Sequence, residues 1–168
     1  MKLAKIAGIA AATALIAVPL AACSSDDSST ASTSTSAAAE AQAPSQILSA
    51  HPWETTGAVD QTGKNVPLTD KNVETYVGFA YFNADGTFTM YTLQDKPKMQ
   101  GDWTVSQDGK NRHIVAKDDK GKVKFERDSQ IVELTDATFT YRTFPEENNK
   151  KVWIDIVHTP TDHRAPTK

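Results

Sequence analysis

Cysteine is nearly absent from this sequence, whose only thiol is Cys23. One cysteine excludes an intramolecular disulfide and, in a domain that does not contain it, Cys-ligated zinc and a cysteine nucleophile. A strong charge of one sign is also absent, because 18 basic residues stand against 21 acidic ones. The basic residues of segment 117–127 are interrupted by acidic ones, which is typical of a solvated face and not of a phosphate track. We therefore expect no nucleic-acid partner.

One long hydrophobic run is present, at residues 6–22, after a short start with two lysines. A membrane-spanning helix needs about 20 apolar residues, and this run is shorter and contains Pro19, so it is typical of a secretory signal. Its end, Leu20-Ala21-Ala22-Cys23, resembles the lipobox of bacterial lipoproteins. The resemblance implies that residues 1–22 are removed and that Cys23 is the lipidation site. Two acyl chains give stable anchoring, so we expect the protein on the extracytoplasmic face of the cell membrane.

Residues 24–46 are almost entirely Ser, Thr and Ala, without aromatic or branched aliphatic side chains. Such a segment cannot bury enough apolar surface to offset its ordering entropy. We therefore expect residues 23–46 to form a lipidated, disordered tether. Residues 47–168 are enough for one domain.

The domain has little helical periodicity and predicts about eight strands. Two aromatic-rich runs, 76–82 and 87–93, flank the turn Asp85-Gly86, which is the strongest hairpin signal in the chain. Run 99–106 alternates between an apolar face, which includes Trp103, and a polar one. Further strands are predicted at 53–58, 112–117, 123–128, 138–144 and 152–158. Residues 131–134 either continue the strand at 123–128 or form a separate strand. A helical turn is predicted at 69–72. This order predicts an all-β, antiparallel up-and-down meander, which can close into a barrel holding one small ligand; an open sandwich is the alternative.

Several segments carry a resemblance to a known family: His51-Pro52-Trp53-Glu54-Thr55-Thr56-Gly57, residues 76–91, Gly101-Asp102-Trp103-Thr104-Val105 and residues 155–163. They resemble bacterial proteins of the family listed as domain of unknown function 4822, which have a lipocalin-like domain. The resemblance covers residues 48–163 and implies a calycin-type barrel, but no activity. Lipocalins carry Gly-x-Trp on the first strand, whereas Gly101-Asp102-Trp103 lies mid-domain, so no lipocalin site residue is transferred.

Strand phase selects the candidate ligand-binding residues. Arg127 shares a face with Val123 and Phe125, which places it towards the interior, and a buried arginine suits bidentate binding of a carboxylate. The alternative is an Arg127 that reaches water at the barrel mouth. Most aromatic side chains are expected to form the packed core. Trp103, Tyr81 and Phe125 are the candidates for cavity walls.

Other site chemistry has weaker support. His51, His113, His158 and His163 fall on separate strands or in the tail, so we expect surface or edge histidines and no metal site. The sequence has no Gly-x-Ser-x-Gly elbow and no phosphate-binding glycine loop. We therefore expect no enzyme and no cofactor.

The sequence thus predicts a lipid-anchored extracytoplasmic β-barrel that binds a small apolar ligand. The alternative is a filled barrel without a ligand cavity, which contacts an envelope protein partner through its outer surface. A hydrolase with paired buried carboxylates is the third possibility.

Overall fold

The computed structural model of the protein describes residues 42–167. The predicted signal peptide, Cys23 and the tether up to residue 41 lie outside the described residues. The elements are α1 (Pro44–Ala50), β1 (Trp53–Asp60), a 3-10 turn (Glu74–Tyr76), β2 (Phe79–Phe82), β3 (Thr87–Tyr91), β4 (Pro97–Val105), β5 (Asn111–Lys117), β6 (Val123–Leu134), β7 (Phe139–Thr143) and β8 (Ile154–Pro160). Within residues 42–167, no helix is both long and apolar enough to cross a membrane.

The eight strands form a closed barrel in chain order. Each strand is antiparallel to the next, and β8 returns to pair with β1 along its whole length. The predicted all-β meander of about eight strands is therefore confirmed. Closure gives β1 and β8 a strand partner on each side, whereas the edge strands of an open sheet invite aggregation.

The barrel interior is packed with large side chains at the end covered by α1. Trp53, Phe88 and Phe139 are almost completely buried, and Trp53 packs edge-on against Phe139 with ring centroids 5.8 Å apart. The Trp53 indole Nε1 donates a hydrogen bond to the Leu48 carbonyl of α1 at 2.9 Å. Aromatic rings in this geometry add to the free energy of simple burial. The centre of the barrel is therefore a core and not a channel.

Two local predictions need correction, and one open alternative, the continuation of strand 123–128 through residues 131–134, is confirmed. Helix α1 begins at Pro44, so residues 44–46 belong to the domain and not to the tether. Strand β2 begins at Phe79, because a 3-10 turn and Gly78, with a φ of 149°, precede it. Segment 123–134 is a single strand of 12 residues.

The long connection between β1 and β2, residues 61–78, seals one gap in the barrel wall. β1 and β2 pair only at Trp53–Ala80 and Glu54–Phe79. Beyond these pairs, the Thr55 amide donates to the Gly78 carbonyl at 3.0 Å, and Val73 of the connection is 0% exposed. The connection thus supplies the hydrogen bonds and the apolar contacts that β2 does not provide there.

Candidate functional site

A second gap in the barrel wall lies between β6 and β7. The two strands pair from Leu134–Phe139 to Ile131–Tyr141, whereas residues 123–130 of β6 pair with β5 alone. Residues 123–128 are consequently exposed along both faces of the strand. We call this opening the β6–β7 cleft. Unlike the gap between β1 and β2, it is not bridged by backbone hydrogen bonds from a connecting segment among the described residues.

The β6–β7 cleft contains a cavity of about 200 Å³. Tyr76 and Tyr141 form aromatic walls and pack edge-on with centroids 6.2 Å apart, and the Arg127 guanidinium lies 5.9 Å from the Tyr76 ring centroid. The full lining is Tyr76, Arg127, Asp128, Ser129, Gln130, Tyr141, Arg142, Thr143, Phe144, Glu147 and Lys150. Tyr76, Ser129 and Tyr141 form the inner wall, which is aromatic and carries hydroxyl groups. Glu147 and Lys150 form the outer lip, which carries charges of both signs.

Arg112 lies directly behind this inner wall and is only 3% exposed. Its Nη2 donates to the Ser129 Oγ at 3.1 Å, and its Cζ lies 4.5 Å from the Tyr141 ring centroid and 5.4 Å from that of Phe139. Among residues 42–167, its Nε finds no hydrogen-bond partner. Burial lowers the pKa of the Arg112 guanidinium, against the opposing influence of Tyr141. A guanidinium deprived of water and of a carboxylate is unfavourable in a protein interior.

The electrostatic environment inside the barrel is cationic. Lys98 donates from its Nζ to the Val77 carbonyl at 2.6 Å, and burial lowers the pKa of Lys98. In the described part of the chain, no carboxylate oxygen lies within ion-pair distance of Lys98, Arg112 or Arg127. The acidic side chains that do form ion pairs belong to the outer surface, as in Arg142–Asp155 with distances of 2.7 and 2.9 Å.

His158 is a buried histidine and not a surface one, which corrects the sequence prediction. It is 4% exposed, its ring stacks on Tyr141 with centroids 5.2 Å apart, and its Nδ1 lies 3.2 Å from the Phe139 carbonyl oxygen. Burial, reinforced by Arg112, lowers the pKa of His158 to about 3. The imidazole is therefore neutral at physiological pH. Among residues 42–167 no three His, Cys, Asp or Glu side chains converge to hold a metal ion.

The structure places Arg127 and Phe125 on the interior side of β6, as strand phase predicted, but at the open rim. Arg127 is exposed, and Phe125 is 36% exposed. The Arg127 guanidinium covers the Phe125 ring at 5.2 Å. Arg127 therefore flanks the β6–β7 cleft, whereas Phe125 lines a separate groove of about 680 Å³ at the rim with Met90 and Met99.

Trp103 faces the interior but belongs to the core. It is 5% exposed, packs edge-on against Phe82 at 5.2 Å and donates from Nε1 to the Asn83 carbonyl at 3.0 Å. It does not line the β6–β7 cleft.

Tyr81 lies on the outer face of the barrel, which corrects its prediction as a cavity wall. Its phenol Oη lies 2.6 Å from the His163 Nδ1. The His163 ring stacks on Phe79 with centroids 3.8 Å apart, and its Nε2 lies 3.2 Å from the Asp95 Oδ1. The segment after β8 is thus held against the outer wall, and His163 is not part of a frayed tail.

Arg112 is not among the candidate residues predicted from the sequence. The alternation along β5 could have identified it, because Arg112, Ile114 and Ala116 share one face of the strand. All three are buried. The same reasoning had been applied to Arg127 on β6. Strand phase identifies the face of a side chain, but it does not tell which of two inward-facing arginines lies at the rim and which lies in the interior.

Comparison with known proteins provides a family but no characterised relative. No curated protein matches the chain. The model of the family described as Domain of unknown function (DUF4822) matches residues 45–167, a range that contains every strand of the barrel and the cleft. The chain therefore belongs to the family Domain of unknown function (DUF4822).

Proposed function

We propose that this domain is a binding module for a small ligand, which it takes up in the β6–β7 cleft. The observation that carries the proposal is the difference between the two gaps in the barrel wall. Residues 61–78 fill the gap between β1 and β2, whereas the gap between β6 and β7 holds a cavity of about 200 Å³. A concave site with aromatic walls and a few convergent polar groups is typical of ligand recognition.

The proposed ligand lies in the wall of the barrel and not along its axis. The centre is occupied by buried side chains such as Phe88, Ile114 and Phe139. The cleft, by contrast, presents the Tyr76 and Tyr141 rings to an incoming molecule. Apolar area removed from water and ring stacking against these two residues supply the binding free energy.

We further propose that lipidated Cys23 anchors the domain to the cell membrane on its extracytoplasmic face. This part rests on the sequence alone, because Cys23 lies outside the described residues. The lipobox-like run that ends at Cys23 supports it, as does the Ser-, Thr- and Ala-rich composition of the segment that follows.

Native mass spectrometry tests ligand binding directly. The chain lacking residues 1–22 and carrying Cys23→Ser is purified without detergent and measured under native and denaturing conditions. We expect an additional mass that disappears on denaturation and is lost in Tyr76→Ala, which removes a wall of the cleft. Leu93→Ala, a change of an exposed residue in the β3–β4 turn, is the matched control and should keep it. A bare mass that persists after incubation with a lipid and metabolite extract would contradict the proposal.

A second candidate function is an interaction module that contacts an envelope protein through its surface. The observation in its favour is the apolar rim of β6, where Val123 is 47% and Phe125 36% exposed. Exposed apolar groups that lie close together mark interaction surfaces. A bare native mass combined with a loss of partner capture in Val123→Ser would favour this function over ligand binding.

A further inference from the structure

The buried guanidinium of Arg112 has no countercharge within the described chain. It is 3% exposed, its Nε has no hydrogen-bond partner, and no carboxylate oxygen approaches it within ion-pair distance. Buried charges in proteins are paired with an opposite charge as a rule. The aromatic rings of Phe82, Phe139 and Tyr141 surround Arg112, but their quadrupoles offset only part of the lost hydration.

The position of Arg112 relates this missing countercharge to the β6–β7 cleft. Ser129 accepts a hydrogen bond from the Arg112 Nη2 at 3.1 Å and also lines the cleft. Because Ser129 accepts this bond, its own hydroxyl hydrogen can be donated to an acceptor in the cleft. Arg127 approaches the same cavity from the rim, beside Tyr76. One cation and one hydroxyl thus line this small cavity, and the buried Arg112 lies behind the hydroxyl as its hydrogen-bond donor.

The acidic groups at the cleft do not neutralise these cations. Asp128 points to the outer face, where its Oδ1 lies 2.9 Å from the His113 Nδ1. Glu147 is exposed on the outer lip, and it forms no ion pair with an arginine. The inner part of the cleft therefore has a positive potential that an anion would compensate.

We infer that the β6–β7 cleft binds the carboxylate of a small organic acid whose ring or short alkyl chain lies against the side of the cleft formed by Tyr76 and the edge of Tyr141. This inference deepens the proposed function and rests on it. A cavity of roughly 150 Å³ is large enough for benzene, so the observed volume of about 200 Å³ suits a molecule of the size of benzoate or hexanoate. A guanidinium matches the planar geometry of a carboxylate, and a charge-assisted hydrogen bond is about twice as strong as a neutral one.

Isothermal titration calorimetry with four probes tests this inference. The chain without residues 1–22 and with Cys23→Ser is titrated with benzoate, hexanoate, benzamide and inorganic phosphate. Benzamide has the shape of benzoate without its charge, and phosphate has charge without an apolar part. We expect the two carboxylates to bind and the other two probes not to bind.

Two substitutions assign the binding to Arg112. Arg112→Met keeps much of the volume and the apolar contacts of the side chain and should weaken benzoate binding about 10- to 100-fold, because the positive charge behind Ser129 that attracts the carboxylate is lost. Lys120→Met removes an exposed cation from the β5–β6 turn, outside the cleft, and should change the affinity by less than about threefold. Circular dichroism and thermal unfolding confirm that both variants are folded.

The outcomes separate the inference from the proposed function. If benzamide binds as tightly as benzoate, or if Arg112→Met binds benzoate unchanged, the carboxylate inference is overturned, while ligand binding in the cleft stands. Preferential binding of phosphate also overturns it. If no probe binds but the native mass shows a retained ligand, the ligand is of another class and the inference fails. If no probe binds and the native mass is bare, the proposed function fails as well.

Discussion

Acidification should destabilise the barrel because the buried His158 must stay neutral in the folded state. This effect should begin at a pH well above that at which the carboxylates of the domain are protonated. Burial holds the pKa of His158 at about 3 in the folded state, whereas an unfolded chain has a histidine pKa of about 6.5. Between these two values the unfolded state binds one more proton than the folded state. The stabilisation that comes from keeping His158 neutral is therefore fully present above pH 6.5. It is lost as the pH decreases towards 3.

The magnitude follows from the separation of the two pKa values. Each pH unit below 6.5 removes about 1.4 kcal/mol, so His158 alone should lower the free energy of unfolding by about 2 kcal/mol between pH 7.5 and pH 5. The full loss, which is reached only below pH 3, is about 5 kcal/mol by the same relation. Arg112 and Lys98 contribute to the depressed pKa, so the loss depends on the cationic interior as well as on burial.

Urea unfolding followed by tryptophan fluorescence measures this loss, because Trp53 and Trp103 are buried. His158→Gln cannot titrate but keeps a donor for the Phe139 carbonyl, so it serves as the reference. We expect the difference in unfolding free energy between the two proteins to shrink by about 2 kcal/mol from pH 7.5 to pH 5. Carboxylate titration affects both proteins alike and cancels. Parallel pH profiles for the two proteins would refute the assignment of a neutral, desolvated His158.

The other predictions concern Arg112, Gly101 and Cys23. Arg112→Met should raise the free energy of unfolding of the ligand-free chain by about 1–3 kcal/mol, because a desolvated charge without a countercharge is removed; a lower melting temperature would contradict this. Gly101→Ala should destabilise by about 3 kcal/mol or more, since a Cβ at this residue would lie 1.9 Å from the Val115 carbonyl oxygen. Gly121→Ala, in a turn with a φ of +80° and open space around it, should lose only about 1–2 kcal/mol in the same urea titration. Cys23→Ala should abolish incorporation of labelled palmitate and release the protein from the membrane fraction, and a variant that stays labelled would exclude Cys23 as the lipidation site.

Most of the strands could be predicted because short-range physics controls them. The turn Asp85-Gly86 and the alternation around Trp103 depend on residues a few positions apart, and both are confirmed. The inward phase of Arg127 was predicted in the same way. Helix α1 could not be predicted, because its seven residues are stabilised by contacts with the barrel end, such as Leu48 with Trp53, and not by helix propensity.

The candidate site depended on information that the strand pattern does not contain. Arg112 and Arg127 have the same inward phase on adjacent strands, and only the tertiary structure shows that one is buried and the other exposed. Likewise, Tyr81 lies on the outer face, where its phenol oxygen is hydrogen-bonded to His163 from far along the chain.

The sequence by itself determined the family, the all-β class, the order of the strands and which side chains alternate together. These properties follow from composition, from turn residues and from the two-residue period of a strand, all of which act locally. The tertiary structure alone decided that the chain closes into a barrel, that residues 61–78 fill one gap in its wall, and that the gap between β6 and β7 holds a cavity in front of a buried guanidinium. The physical reason is that burial, closure and charge compensation depend on which distant residues come into contact. The residue pattern of a single strand does not determine which other strands lie beside it.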